Sequence, residues 1–126
     1  MNETDLKART KLFALRVLKL VDAMPDTRSA RILAGQLGRS GTSVGANYRA
    51  ACRSRSPAEM ISKFAVVEEE ADESGFWLEL TADHGVMPAA QLTPLQKEAS
   101  ELTAIMVASR KTLQARNRKS GIQNPK

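Results

Sequence analysis

The stretch Arg39-Ser-Gly-Thr-Ser-Val-Gly-Ala-Asn-Tyr-Arg-Ala-Ala-Cys-Arg-Ser-Arg-Ser56 decides how this chain folds. Small residues crowd it: Ser40, Gly41, Thr42, Ser43, Gly45, Ala46, Ala50 and Ala51. Val44, Tyr48, Ala51 and Cys52 recur at helical spacing. Arg39, Arg49, Arg53 and Arg55 stand among them with no acid. The pattern predicts a helix that neighbours approach closely and whose outer surface is cationic.

Working back from it, Arg28 begins this helix, and Ile32, Leu33 and Leu37 start its apolar stripe. Gly35, Gly38, Gly41 and Gly45 each cost a helix roughly 1 kcal/mol relative to Ala. Either the helix breaks near Gly38–Gly41 or a neighbour's close packing compensates; one long helix, kinked at most, is the expectation, with Asp26 or Thr27 as its cap. Pro25-Asp26-Thr27 is a turn. Before it, a helix from about Thr4 or Asp5 to Ala23 carries Leu6, Leu12, Phe13, Val17, Leu20, Val21 and Met24 as a broad apolar face.

Working forward, Ser56-Pro57-Ala58-Glu59 is a capping box with Pro at the first helical position. The third helix has Met60, Ile61, Phe64, Val67, Ala71, Gly75, Leu78 and Ala82 on one face, widened by Trp77 and Leu80, and ends at His84-Gly85. Val86 to Leu92 reads as a loop. Thr93-Pro94-Leu95-Gln96 repeats the capping-box design and predicts the start of a fourth helix, striped by Leu95, Leu102, Ile105, Met106 and Leu113. Cations Arg116, Arg118 and Lys119 close it, where the helix dipole favours them. Residues 120–126 are expected to form a disordered polar tail. No strand pattern is present. Four amphipathic helices with short links predict an all-α, antiparallel up-down-up-down bundle over residues 1–119.

Composition narrows the function. The 126 residues allow one core, and the net charge is +5. No uncharged run reaches the ~20 residues of a membrane span. Charge begins at Glu3 with no signal-like apolar region, so a cytoplasmic protein is expected. Cys52 is the one cysteine, which leaves no internal disulfide. The few aromatics, Phe13, Tyr48, Phe64, Phe76 and Trp77, do not make a stacking platform for single strands. Charge is segregated by segment. Residues 27–56 hold six bases and no acid, and residues 57–85 hold eight acids against Lys63 alone. Such segregation suits polyanion partners or pairing between segments or copies.

Catalytic chemistry finds little footing. Glu68-Glu-Glu-Ala-Asp-Glu73 is dense in carboxylates, but the Glu-x-x-His pattern of bundle metal sites is missing and His84 stands alone. Ser40, Thr42, Ser43 and Ser56 have no nearby base. Cys52 reads as a buried thiol, although Arg49 and Arg53 could lower its pKa. No cofactor, metal or enzymatic role is expected. One other pattern competes: Leu33 to Val44, continued to Arg49, fits a helix-turn-helix loosely, with Arg39, Thr42, Ser43, Asn47 and Arg49 facing DNA.

Three runs carry a resemblance. Leu37 to Tyr48, the Ser56-Pro-Ala-Glu-Met turn, and Glu70-Ala-Asp-Glu-Ser-Gly-Phe-Trp-Leu-Glu-Leu80 together resemble the four-helix bundle proteins encoded in intervening sequences of bacterial 23S rRNA genes. The likeness covers roughly residues 5–118. It implies a left-handed bundle and assembly into a ring, a pentamer in relatives. Accessory proteins of diversity-generating retroelements look similar, and those are basic rings that engage nucleic acid and a reverse transcriptase. No activity is established for the intervening-sequence proteins. Gly75 stands where relatives often carry a larger polar residue, and Phe76 stands near their usual Tyr. The resemblance also implies that Asn47 is a buried structural residue, with Glu70 or Glu73 as partners.

Two functions follow as expectations. The first is a ring that binds RNA or DNA through phosphates, using Arg39, Arg49, Arg53, Arg55, Arg116, Arg118 and Lys119. The second is a protein–protein adaptor in which the basic second helix pairs with the acidic third helix of a neighbouring copy.

Overall fold

The computed structural model describes the backbone of residues 1–123 and the side chains of residues 1–119. Four helices follow one another: α1 (Glu3–Asp22), α2 (Arg28–Cys52), α3 (Pro57–Asp83) and α4 (Ala89–Gln123). Each packs on its sequence neighbour, whereas α1 meets α4 sparsely, and α1 and α3, like α2 and α4, stand diagonally opposed. The short links make successive helices antiparallel, giving an up-down-up-down four-helix bundle.

Local chemistry sets the helix starts. Asn2 caps α1 in a reciprocal box with Asp5: its side chain accepts from the Asp5 N–H at 2.8 Å, and its N–H donates to the Asp5 carboxylate at 3.3 Å. Thr27, rather than Asp26, caps α2 by accepting from the Ala30 N–H at 3.2 Å. Ser56 caps α3, accepting from the Glu59 N–H at 3.1 Å. The Glu59 carboxylate accepts from the N–H of Arg55 rather than of Ser56. Gly85 supplies the left-handed residue after α3, with φ +73°.

The fourth helix corrects the sequence reading. It begins at Ala89, so the expected loop through Leu92 is already helical and Pro94 lies inside the helix. Thr93 caps nothing; its hydroxyl donates to the Ala89 carbonyl at 2.9 Å. Pro94 forfeits one backbone bond near the helix start. Burial offsets that loss: Leu92 is fully buried, and Leu95 and Met87 nearly so. Burying one such side chain is worth about 1.5–3 kcal/mol. At its far end α4 runs to Gln123, so residues 120–123 of the expected tail have helical backbone. The rest of the expected tail, residues 124–126, lies outside the described residues.

Phe13 and Val17 of α1, Leu37 and Val44 of α2, Val67 and Leu78 of α3, and Leu92, Leu102 and Met106 of α4 form the centre of the core. Two residues assigned to the apolar stripes turn outward instead, Leu12 at 55% exposure and Ile32 at 65%. Each sits about 100° round the helix from a buried neighbour, Phe13 or Leu33, and that step carries it off the core side. The core admits a few polar groups. The hydroxyls of Ser40 and Ser74, both fully buried, lie 2.9 Å apart and share a hydrogen bond across the α2–α3 contact. Tyr48 and Phe64 stack in parallel with ring centres 6.2 Å apart, about two turns further along the same contact.

Charge ties α4 to both helices beside it, α1 and α3. Arg9 donates to both carboxylate oxygens of Glu98, each at 2.7 Å, in a half-buried fork. Arg110 donates to Glu68 at 2.9 Å across α3 and α4.

Candidate nucleic-acid interface

The second helix is continuous from Arg28 to Cys52. The turn that a helix-turn-helix needs near Gly38–Gly41 is therefore absent, and that reading is overturned. Close packing by α1 holds the helix through its glycines. A Cβ placed on Gly41 would lie 2.8 Å from both Val17 methyls, and one on Gly45 would lie 3.4 Å from Thr10. Gly35 and Gly38 face open space.

Arg39 does not join the other arginines. It pairs within its own chain, with Glu73 at 2.6 Å and Glu70 at 3.1 Å. Glu73 first, then Glu70, holds its guanidinium more firmly protonated than usual. These are the carboxylates expected to meet Asn47. Asn47 instead donates to the Ser43 carbonyl at 2.8 Å. The reason is register. The antiparallel α2–α3 contact sets Ser40 against Ser74 and Tyr48 against Phe64. Asn47 therefore stands level with residues near 65, about 7 Å along the axis from Glu70.

Arg49 in the last turn of α2 and Arg53, the residue that caps its C-terminus, line an open groove of about 550 Å³ with Lys7 and Lys11 of α1. Ala8, Ala14, Gly45 and Ala46 also line it, so no large side chain fills it. Lys7 keeps a partner in Glu3 at 3.3 Å. Lys11, Arg49 and Arg53 have no ion pair among the described residues. The lysines escaped sequence reasoning. Their four-residue spacing beside Ala8, opposite Gly45 and Ala46, was the available signal.

The topology adds a second cationic cluster. The C-termini of α2 and α4 point to the same end of the bundle. Arg53 and Arg55 therefore share that end with Arg116, Arg118 and Lys119, all exposed. The two clusters sit on diagonal helices and form one basic end rather than one patch. Arg116 borders a separate open recess of about 390 Å³ beside Glu3, Tyr48 and Phe64.

Cys52 is half-buried next to this end. Burial pushes its thiol pKa up, the neighbouring Tyr48 hydroxyl lowers it and Glu3 raises it again. The thiol-activating role considered for Arg49 and Arg53 has no support in this arrangement. Among the described residues, no three His, Cys, Asp or Glu side chains gather in a way that could hold a metal ion. Nor is any described helix long and apolar enough to cross a membrane.

The family model for the 23S rRNA-intervening sequence protein matches residues 2–108. The chain belongs to that family. A solved relative agrees: the crystal structure of a protein of unknown function from the S23 ribosomal protein family of Bacteroides thetaiotaomicron VPI-5482 superposes with a TM-score of 0.81. The two are 28% identical, and the match covers 88% of this chain and 99% of the other. A search of curated proteins finds no match. Membership in the 23S rRNA-intervening sequence family accounts for the bundle and leaves its task to be argued from the surface.

Proposed function

We propose that this member of the family is a non-enzymatic homo-oligomer, a closed ring, that binds RNA or DNA through backbone phosphates. The observation that carries the proposal is the groove in which Arg49 and Arg53 stand without carboxylate partners among the described residues, around a floor of small residues. Phosphates need cations that are free and approachable, and they need no base-reading side chains. Arg55, Arg116, Arg118 and Lys119 extend the basic end, while Arg39 is withdrawn from the expected set by Glu70 and Glu73. The test is anisotropy of a labelled structured RNA and a labelled duplex DNA against salt. Micromolar or tighter binding, falling steeply with salt and indifferent to sequence, is the expected result. Absence of binding at low salt contradicts the proposal and favours the adaptor reading.

A further inference from the structure

Two faces on opposite flanks of the bundle fit one another. The first is the outer face of α1. Leu15 points directly away from the buried row of Leu6, Thr10, Phe13 and Val17. Leu12 and Leu18 flank it, and the three are 55%, 52% and 44% exposed in chain order. Lys11 and Lys19 share this face, about 12 Å apart along the axis. Neither has an ion pair among the described residues.

The second face is an open groove of about 670 Å³ between α3 and α4. Its floor is made of small residues, Ala71, Gly75 and Ala99 among them, and half-exposed Phe76 forms an apolar wall. A Cβ on Gly75 would meet only the Ala99 Cβ, at 3.9 Å, so the floor is open to a side chain from outside. Asp72 and Glu79 line the groove about 10 Å apart, and no base lines it. Neither acid is ion-paired among the described residues.

We infer that the occupant of the α3–α4 groove is α1 of a second copy of this chain. Leu15 enters over Gly75, one of its two flanking leucines packs against Phe76, and Lys11 and Lys19 meet Asp72 and Glu79. Charge complementarity selects this occupant: an apolar stripe flanked by two unpaired lysines matches a small-residue groove flanked by two unpaired carboxylates at nearly the same spacing. The two surfaces differ, so the contact is head-to-tail and each copy keeps one free face for the next. Such an interface closes a ring or propagates a filament, and it cannot end at a two-fold dimer. The inference rests on the homo-oligomer part of the proposed function and specifies its seam. It leaves Arg49 and Arg53 outside the contact.

The test is solution mass by light scattering at micromolar protein, with circular dichroism to confirm the fold. The natural chain is expected at a multiple of 13.7 kDa larger than two. Leu15→Asp, at an exposed position, is expected to run at the monomer mass. K11E/K19E and D72K/E79K are each expected to dissociate, and the chain carrying all four substitutions is expected to recover the larger mass. A natural mass in Leu15→Asp, or no recovery in the fourfold variant, overturns this seam while leaving oligomerisation intact. A monomeric natural chain overturns both.

Discussion

Gly41 and Val17 touch so closely that a methyl on Gly41 would come within 2.8 Å of both Val17 methyls. This contact sets how near α1 lies to α2, and so how narrow the groove between Lys7, Lys11, Arg49 and Arg53 becomes. Gly41→Ala gains helix propensity but must displace Val17, a stiff β-branched side chain at zero exposure. Gly38→Ala gains the same propensity into open space. Gly38→Ala is expected to stabilise the protein by about 1 kcal/mol. Gly41→Ala is expected to fall below it by about 1–3 kcal/mol, the cost of overpacking. Urea unfolding of the two variants checks the difference.

Ser40 and Ser74 predict non-additivity. Removing either hydroxyl leaves the other buried with a poorer set of partners, since Ser40 otherwise reaches only the Leu37 carbonyl at 3.4 Å. Each single alanine is expected to cost about 1–2 kcal/mol, and the double alanine less than the sum. A double-mutant cycle in urea reads the coupling directly, and strict additivity would show that the hydroxyl contact contributes nothing.

Alkaline pH is expected to weaken the fold. Burial raises the Tyr48 phenol well above its ordinary range, with Cys52 and Glu3 adding to it, and burial raises the Cys52 thiol. Both groups keep their protons longer in the folded chain than in the unfolded one. Their contribution is full below the ordinary pKa values and is lost as pH rises past them, from about 8.5 for the thiol and about 10 for the phenol. Stability measured from pH 7 to 11 should fall, and Tyr48→Phe should flatten the limb above about pH 10.

Much of the fold was legible because its signals are local. Ser56-Pro57, the Pro25 turn and Gly85 act within a few residues, and the structure uses each as the pattern suggests. The start of α4 was not legible. Leu92 had to be weighed against Pro94, and only tertiary burial of Leu92 settles that contest. The site was partly legible. Arg49 and Arg53 announce themselves by charge. The loss of Arg39 to Glu70 and Glu73, and the failure of Asn47 to reach them, depend on an interhelical register that no local pattern encodes. Lys7 and Lys11 join the groove for the same reason, through pairing of α1 with α2.

That division between Arg39 and the groove arginines is itself testable. Arg39→Ala is expected to change nucleic-acid affinity by less than about twofold, because its charge is already matched within the chain. Arg49→Glu with Arg53→Glu is expected to weaken it by more than about tenfold at low salt. Anisotropy titrations of the three proteins on one labelled RNA make the comparison.

The most direct measurement is the salt slope of binding in the natural chain and in R49Q/R53Q. If these arginines hold phosphates, the plot of log affinity against log salt becomes shallower by roughly two in the variant, about one for each contact removed. An unchanged slope, with affinity equal to that of the natural chain, would contradict the assignment of the α1–α2 groove to phosphate binding.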